Sequence, residues 1–407
     1  MTATERRASL SLASIFALRM LGLFLVLPVF ALEAARYPGG DDPVRVGLAM
    51  GIYGLTQALL QIPFGLASDW WGRKPVIIAG LMLFALGSFV SAWAPDLHWL
   101  IIGRAVQGAG AISAAVTALL ADTTRDEVRT KAMALVGGSI ALMFALSLVA
   151  APWLAGVIGL HGLFAMTGSL ALAGVAVVLW WVPPEPRVHA HVARGSVFEV
   201  LQEPALLRLN FGVFVLHAVQ LAMWVALPAL LVAAGLEKSK HWEVYLPAVL
   251  ASFVVMGMTL FPLEKRGYLR AVFLGAVGLI FLVQIGLLWT VSSSATPGLG
   301  WLAALLVLFF CGFNVLEASQ PSLASRVAPA HARGAALGVY NTLQSLGFFA
   351  GGAAGGWITK NHGPQGLFMV CGGLMLLWLV FAWPMKAPGR AARDSLATPD
   401  PKGRPAS

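Results

Sequence analysis

The chain has 407 residues, of which 58% are hydrophobic and only 11% charged, with a mean hydropathy of +0.81. A soluble domain carries about 25% charged residues, so this chain lacks the polar surface that a water-soluble fold of its length needs. A polytopic helical membrane protein is expected, because only helices and closed barrels satisfy every backbone group in lipid. A net charge of +9 can signal nucleic acid, but here it fits basic loops on one side of a membrane, and no nucleic-acid partner is expected.

A spanning helix needs about 20 apolar residues. Twelve candidates follow in order: roughly 9–34, 44–68, 75–95, 97–121, 130–159, 161–182, 207–234, 242–263, 269–292, 298–325, 333–359 and 364–385. These runs are long and continuous, unlike the short alternating strands of a barrel. The first run follows Arg6 and Arg7, as a signal peptide would. It is too long for an h-region and Arg19 splits it, so it is expected to remain as a span. The polar interruption at 183–206 divides the spans six and six. The expected organisation is a bundle at 1–182, a cytoplasmic linker at 183–206, a second bundle at 207–386 and a disordered cytoplasmic tail at 387–407.

With the N terminus inside, 20 of the 27 Lys and Arg fall in inside loops and tails. Five lie outside (Arg36, Arg45, Lys238, Lys240, Lys360), and Arg19 and Arg104 lie within spans. That bias predicts both termini cytoplasmic. The halves also echo one another: DWWG at 69–72 recurs in type as EKRG at 264–267, and Arg129 and Arg333, 204 positions apart, open related segments. Parallel repeats of this kind are one transporter architecture. Cys311 and Cys371 lie inside apolar runs and give neither a disulfide framework nor metal-ligand spacing. No metal or cofactor is expected. The glycine clusters at 137–152 and 351–357 lie within spans, with no GK[ST] following, so ATP is not expected to drive the protein directly. His189, His191, His331 and His362 are loop residues, no Ser-His-Asp constellation is visible, and an enzyme is not expected.

The stretch GLASDWWGRKP at 65–75 packs an acid, two bases, two glycines and a proline between two apolar runs. It resembles the loop 2–3 signature of the major facilitator superfamily, through Gly65, Asp69, Gly72 and Arg73, followed by Lys74; Trp70 stands where a basic residue is usual. Arg104, Gln107 and Gly108 resemble a second signature, on span 4. Ala151, Pro152 and Gly156 match in part the span-5 pattern of drug:proton antiporters. Segments 19–29, 314–323 and 338–347 are similar to the YajR-type branch of bacterial inner-membrane transporters. The type member of that branch carries an extra soluble C-terminal domain, which this chain is expected to lack. The resemblance implies twelve helices in two pseudo-symmetric bundles, in the bacterial cytoplasmic (inner) membrane.

It also implies a conformational latch made of Gly65, Asp69, Gly72, Arg73 and Asp122. Asp69 would face the positive N-terminal end of span 11, near Arg333, a contact worth about 0.3–1 kcal/mol or more. Arg73 would reach Asp122 at the end of span 4. Such contacts are expected only when the halves close on the inside.

Charged groups within spans are costly and mark function by default. Glu317 is the one acid well inside a span, corresponding to Ser113 by the 204-residue offset. It is the first candidate to carry a proton; permanent pairing with an Arg or backbone group is the alternative. Arg104 can hold a negative substrate, regulate proton transfer, or bind carbonyls; the resemblance ties it to proton coupling, and Arg19 is placed beside it with its role open. Gln57, Gln61, Gln107, His217, Gln220, Trp224, Asn314, Gln320, Tyr340, Asn341 and Gln344 are candidates to line a central cavity. For any one of them an interhelical hydrogen bond competes with substrate contact. His217 is also a candidate second proton group.

The expected function is proton-coupled efflux of a small, partly apolar molecule by alternating access. Proton-coupled uptake of a metabolite and a non-transporting sensor are the alternatives. The expected partners are a small-molecule substrate, protons and the lipid bilayer, and the expected state is a monomer.

Overall fold

A computed structural model describes residues 1–185, 197–293, 298–329 and 332–385. The tail expected at 387–407 and positions 186–196 of the expected linker lie outside the described residues. Among the described residues every regular element is helical. In chain order these are α1 (Ala3–Ala34), α2 (Pro43–Trp71), α3 (Arg73–Ala92), α4 (Leu97–Ala109), α5 (Ser113–Asp122), α6 (Asp126–Trp180), α7 (Val197–Gln202), α8 (Pro204–Ala233), a 3-10 turn (Lys238–Lys240), α9 (Trp242–Lys265), α10 (Leu269–Ser292), α11 (Leu299–Val327) and α12 (Arg333–Ala382).

The starts are locally encoded. Thr2 and Glu5 form a reciprocal capping box on α1. Asp42 caps α2 by accepting from the Val44 N–H, with Pro43 in the first turn. Asp96 caps α4 through the Trp99 N–H. Among the described residues ten helical segments are long and apolar enough to cross a membrane, α4 and α5 together making one of them.

Two of these are too long for one crossing. At about 1.5 Å per residue, the 55 residues of α6 would extend far beyond a hydrocarbon core of about 30 Å. Each is broken at a glycine with nearly the same backbone: Gly159 (φ 66°, ψ −179°) in α6 and Gly363 (φ 64°, ψ −177°) in α12. A side chain resists such positive φ. The two glycines stand 204 positions apart (363 minus 159), and G-x-x-G-L-F begins at both. The repeat seen between Arg129 and Arg333 therefore has a backbone counterpart.

Span 4 departs from expectation. The continuous run at 97–121 is broken between α4 and α5, where Gly110 leaves helical geometry (ψ 55°). Gly110 lies against the Gly80 carbonyl and Phe84. At the break the Gly110 carbonyl accepts from the Ile112 N–H at 3.0 Å and from Arg19 Nη2 at 3.2 Å. In the second half, α11 runs unbroken.

The halves meet through α2 and α12 at the end away from the N terminus, here the distal end. Gly47, Gly51, Gly352 and Gly356 bring the two backbones together: a Cβ on Gly352 would come within 2.6 Å of the Gly47 carbonyl oxygen and 2.7 Å of the Gly51 nitrogen. Small residues four apart permit this approach in lipid. Two ion pairs cross the same end, Asp42–Lys360 at 3.2 Å and Glu33–Lys238 at 3.8 Å. At the terminal end, by contrast, Gly334 and Gly338 of α12 have open space where a Cβ would project.

Gly352→Val would drive a side chain into α2, and overpacking costs about 1–3 kcal/mol. With spin labels on the exposed Arg36 and Lys240 positions, the closed distal population should fall at least about fivefold. Gly275→Val, where the space is open, should leave it unchanged. The Asp42 carboxyl is held below its ordinary range, first by the Val44 N–H and then by the Lys360 ammonium. A lowered folded-state pKa means that this contribution is present above the ordinary carboxylate range and is lost only as pH falls through the lowered value. The difference in distal closure between the wild type and Asp42→Asn should therefore stay flat from about pH 8 to about pH 5; a difference that fades from near neutrality would contradict this.

Candidate functional site

A pocket with about 450 Å³ of empty volume lies between the halves, lined by α1, α2 and α4 on one side and by Leu221 of α8 and Phe348 of α12 on the other. Its polar lining comes from Tyr53 and Arg104. Arg104 is 5% exposed. Its guanidinium donates to the Gln107 side-chain oxygen at 2.5 Å and makes long contacts, 3.4 Å each, with the Ala49 and Met50 carbonyls of α2. It stands 4.9 Å from the centroid of the Tyr53 ring, close enough for a cation–π attraction. Arg19, fully buried, donates to the Tyr53 hydroxyl oxygen at 2.9 Å and to Ser113 Oγ at 3.2 Å. Tyr53 therefore joins the two guanidinium groups. Among the described residues, neither arginine makes an ion pair with a carboxylate.

The second half holds a different cluster. His217 on α8 places Nδ1 2.8 Å from the Val213 carbonyl, and its Nε2 meets Gln344 Nε2 at 2.8 Å and Glu317 Oε2 at 3.3 Å. Gln344 also donates to Glu317 Oε1 at 3.4 Å. A carbonyl can only accept, so Nδ1 carries a proton, and with the Gln344 amide as placed Nε2 accepts from it. A second proton on His217 would sit on Nε2, turning that atom from acceptor to donor towards Glu317. Glu317 is not enclosed as expected, since its side chain is 40% exposed. Position 317 corresponds to Ser113 (317 minus 204), so the same helix position meets Arg19 in the first half and His217 in the second, although positions 19 and 217 do not themselves correspond.

The charged turn sits at the terminal end. Gly72 has φ 94°, and its counterpart Gly267 has φ 91°. Arg73 meets Asp69 at 2.5 Å, Asp122 at 3.1 Å and Ser68 Oγ at 2.7 Å. The second half answers with Glu264–Arg326 at 2.9 Å, the signs reversed at the position equivalent to Asp122 (326 minus 122 is again 204). Asp122 belongs to the same half as Arg73, and this pair is formed while the halves are closed at the distal end. The expectation that it forms only on inside closure is corrected: it needs no contact between halves. Gly65 lies nearest to Ala114 of α5. The carboxylate that meets the N-terminal end of α3 is Glu185, which accepts from the backbone N–H groups of Arg73 (3.1 Å) and Lys74.

None of the expected cavity residues lines the central pocket; Arg104, expected for proton coupling, does. Gln107 is committed to Arg104 and, through Nε2, to Ser88 Oγ at 2.9 Å. Asn314 donates to Ser252 Oγ at 2.7 Å. Trp224 packs edge-on against Tyr245, 5.3 Å between centroids. Asn341 gives its carbonyl to Ser345. Gln57, Gln61, Gln220, Gln320 and Tyr340 each keep at least one buried polar atom without a hydrogen bond among the described residues. Sequence reasoning missed Tyr53, though it lies four residues before Gln57 and shares its helix face. It also missed Asp42 and Glu33, whose partners are set by tertiary packing.

A sequence profile of the Major Facilitator Superfamily matches residues 12–352. The chain belongs to that superfamily. It is 44% identical over 393 residues to the inner membrane transport protein YajR of Escherichia coli K12, covering 95% of this chain and 85% of that one. It is 26% identical over 374 residues to the class G tetracycline resistance protein of Vibrio anguillarum, covering 84% and 91%. A bacterial homologue of the lysosomal transporter Spinster, solved in an inward-facing and occupied conformation, shares the fold, with a TM-score of 0.73 at 13% identity, over 94% of this chain and 97% of that one. This superfamily member is thus a multi-pass membrane transporter and not an enzyme.

Proposed function

We propose that the protein exports a small, partly apolar molecule in exchange for protons, by alternating access. It resides in the inner membrane, as its YajR relative does. The observation that carries the proton-coupled reading is the His217–Glu317–Gln344 cluster. It sets an acid, a base and an amide within 3.4 Å of one another, on three helices of one half. Glu317 is partly exposed, so a proton can reach it, and Gln344 can bond to either partner as the proton moves. Efflux is favoured by the relation to tetracycline resistance proteins and by the antiporter-like segment at Ala151, Pro152 and Gly156.

The lysine and arginine bias places the termini in the cytoplasm, which makes the distal end periplasmic. On that assignment the conformation is sealed to the outside, with a pocket behind the seal. Arg73, Asp69 and Asp122 hold the cytoplasmic rim of the first half together, and a latch to the other half would run from Asp69 to the start of α12.

In inverted vesicles acidified by respiration, tetracycline and a panel of lipophilic drugs are added while a dye reports internal pH. A transported compound should collapse the gradient with the wild type and at least about tenfold less with Glu317→Gln, as expected where a proton-carrying group is lost. Equal collapse with both proteins would remove Glu317 from the proton path. A response confined to right-side-out vesicles would assign uptake.

A further inference from the structure

We propose that the substrate is an amphiphilic organic anion, whose carboxylate-like group is bound by Arg104 and Tyr53 and whose apolar body fills the pocket beyond them. This rests on the transporter reading above and goes further by naming the substrate class. Three observations on one wall lead to it.

The first is charge. Arg19 and Arg104 are 0% and 5% exposed and are joined through Tyr53, and among the described residues no carboxylate pairs with either. Two desolvated cations in a hydrocarbon region are costly without an anion. Arg19 is explained structurally, because it binds the Gly110 carbonyl where α4 gives way to α5. Arg104 is not explained in the same way. Two of its three hydrogen bonds are at 3.4 Å, long against the usual 2.7–3.2 Å or so, and both go to carbonyls within the continuous helix α2. Those carbonyls do not need the arginine, and its one short hydrogen bond goes to the neutral Gln107 side chain, so its charge is left without a counter-ion.

The second is the polar group beside it. The Tyr53 hydroxyl oxygen accepts from Arg19, which leaves its hydrogen free to be donated. The guanidinium donates only, and the phenol hydrogen adds a second donor on the same wall. Together they favour a carboxylate or sulfonate over an ammonium ion, which the guanidinium would repel.

The third is the remainder of the wall. Leu27, Phe30, Leu221 and Phe348 supply an apolar surface from both halves, a mostly apolar lining with few polar groups of the kind that small-molecule sites share. A ligand with one anionic group and an aromatic or aliphatic body matches this lining. Because Leu221 and Phe348 come from the second half, such a ligand would touch both halves and would feel their movement.

The test is equilibrium binding to purified protein in nanodiscs with no proton gradient, so that its outcome does not depend on proton coupling. The probes are 1-naphthaleneacetate and its neutral amide, which share a body and differ in charge. The wild type should bind the acid about tenfold more tightly than the amide, as a charge-assisted contact implies. Arg104→Gln should lose that preference while still binding the amide, and Arg104→Lys should keep part of it. Phe348→Trp, which fills the pocket, should weaken both probes. If Arg104→Gln does not fold, the acid-to-amide ratio of the wild type and the loss on Phe348→Trp still decide. Equal binding of the two probes by the wild type, no binding of the acid, or an undiminished preference in Arg104→Gln would overturn the proposal. Any of these results would leave the drug-dependent proton flux of the vesicle assay to stand or fall independently.

Discussion

The backbone contact between α2 and α12 is the constraint on which the rest of the structure depends. Hydrophobic burial does little to hold helices together in lipid, so association rests on close packing and polar contacts. Gly47 and Gly51 meet Gly352 and Gly356 closely enough that no side chain fits between them. Because that contact lies at the distal end, it seals one side of the molecule and lets the halves diverge at the other. The ion pairs Asp42–Lys360 and Glu33–Lys238 crown the seal. Asp42–Lys360 is exposed enough to be weak, and Glu33 meets Lys238 only at 3.8 Å while pairing more closely with Arg36, which suits contacts that would break in a transport cycle.

Behind the seal the two halves carry different chemistry on a common plan. The repeat is visible in backbone (Gly159 and Gly363, Gly72 and Gly267) and in side-chain position (Ser113 and Glu317, Asp122 and Arg326). The first half buries two guanidinium groups around Tyr53; the second holds a histidine, a glutamate and a glutamine. At corresponding levels the first half carries two arginines and the second a histidine beside a carboxylate. A substrate anion in the first half and a proton in the second would then bias the same equilibrium between conformations, which is how coupling arises without direct contact between the two ligands.

Much of this was legible in the chain. Apolar run lengths gave the helices, the Lys and Arg bias gave an expected orientation, and GLASDWWGRKP gave the charged turn whose Arg73–Asp122 pair the structure displays. What was not legible was set by tertiary geometry. The break after Ala109 follows from the tight fit of Gly110 against Gly80 and Phe84, residues on another helix. Polar spacing along α2, α8 and α11 placed Gln57, Gln220 and Gln320 as cavity residues, but spacing does not say which face meets the partner half. Tyr53 was passed over as one aromatic among many, because its importance comes from two arginines on other helices. Glu185 caps α3 across 112 residues of sequence separation, beyond the reach of any local pattern.

The central claim is that the two ends of the molecule open in alternation about the α2–α12 contact. The most direct measurement is of two distances in one preparation by pulsed electron paramagnetic resonance, in nanodiscs. One label pair sits at the distal end, on Arg36 and Lys240, and the other at the terminal end, on the exposed Trp70 and Tyr268 positions. Populations are shifted by pH and by Gly352→Val. The account predicts anticorrelated distances, each loss of the short distal population being matched by a gain in the short terminal one. Distal opening with an unchanged terminal distance would contradict it.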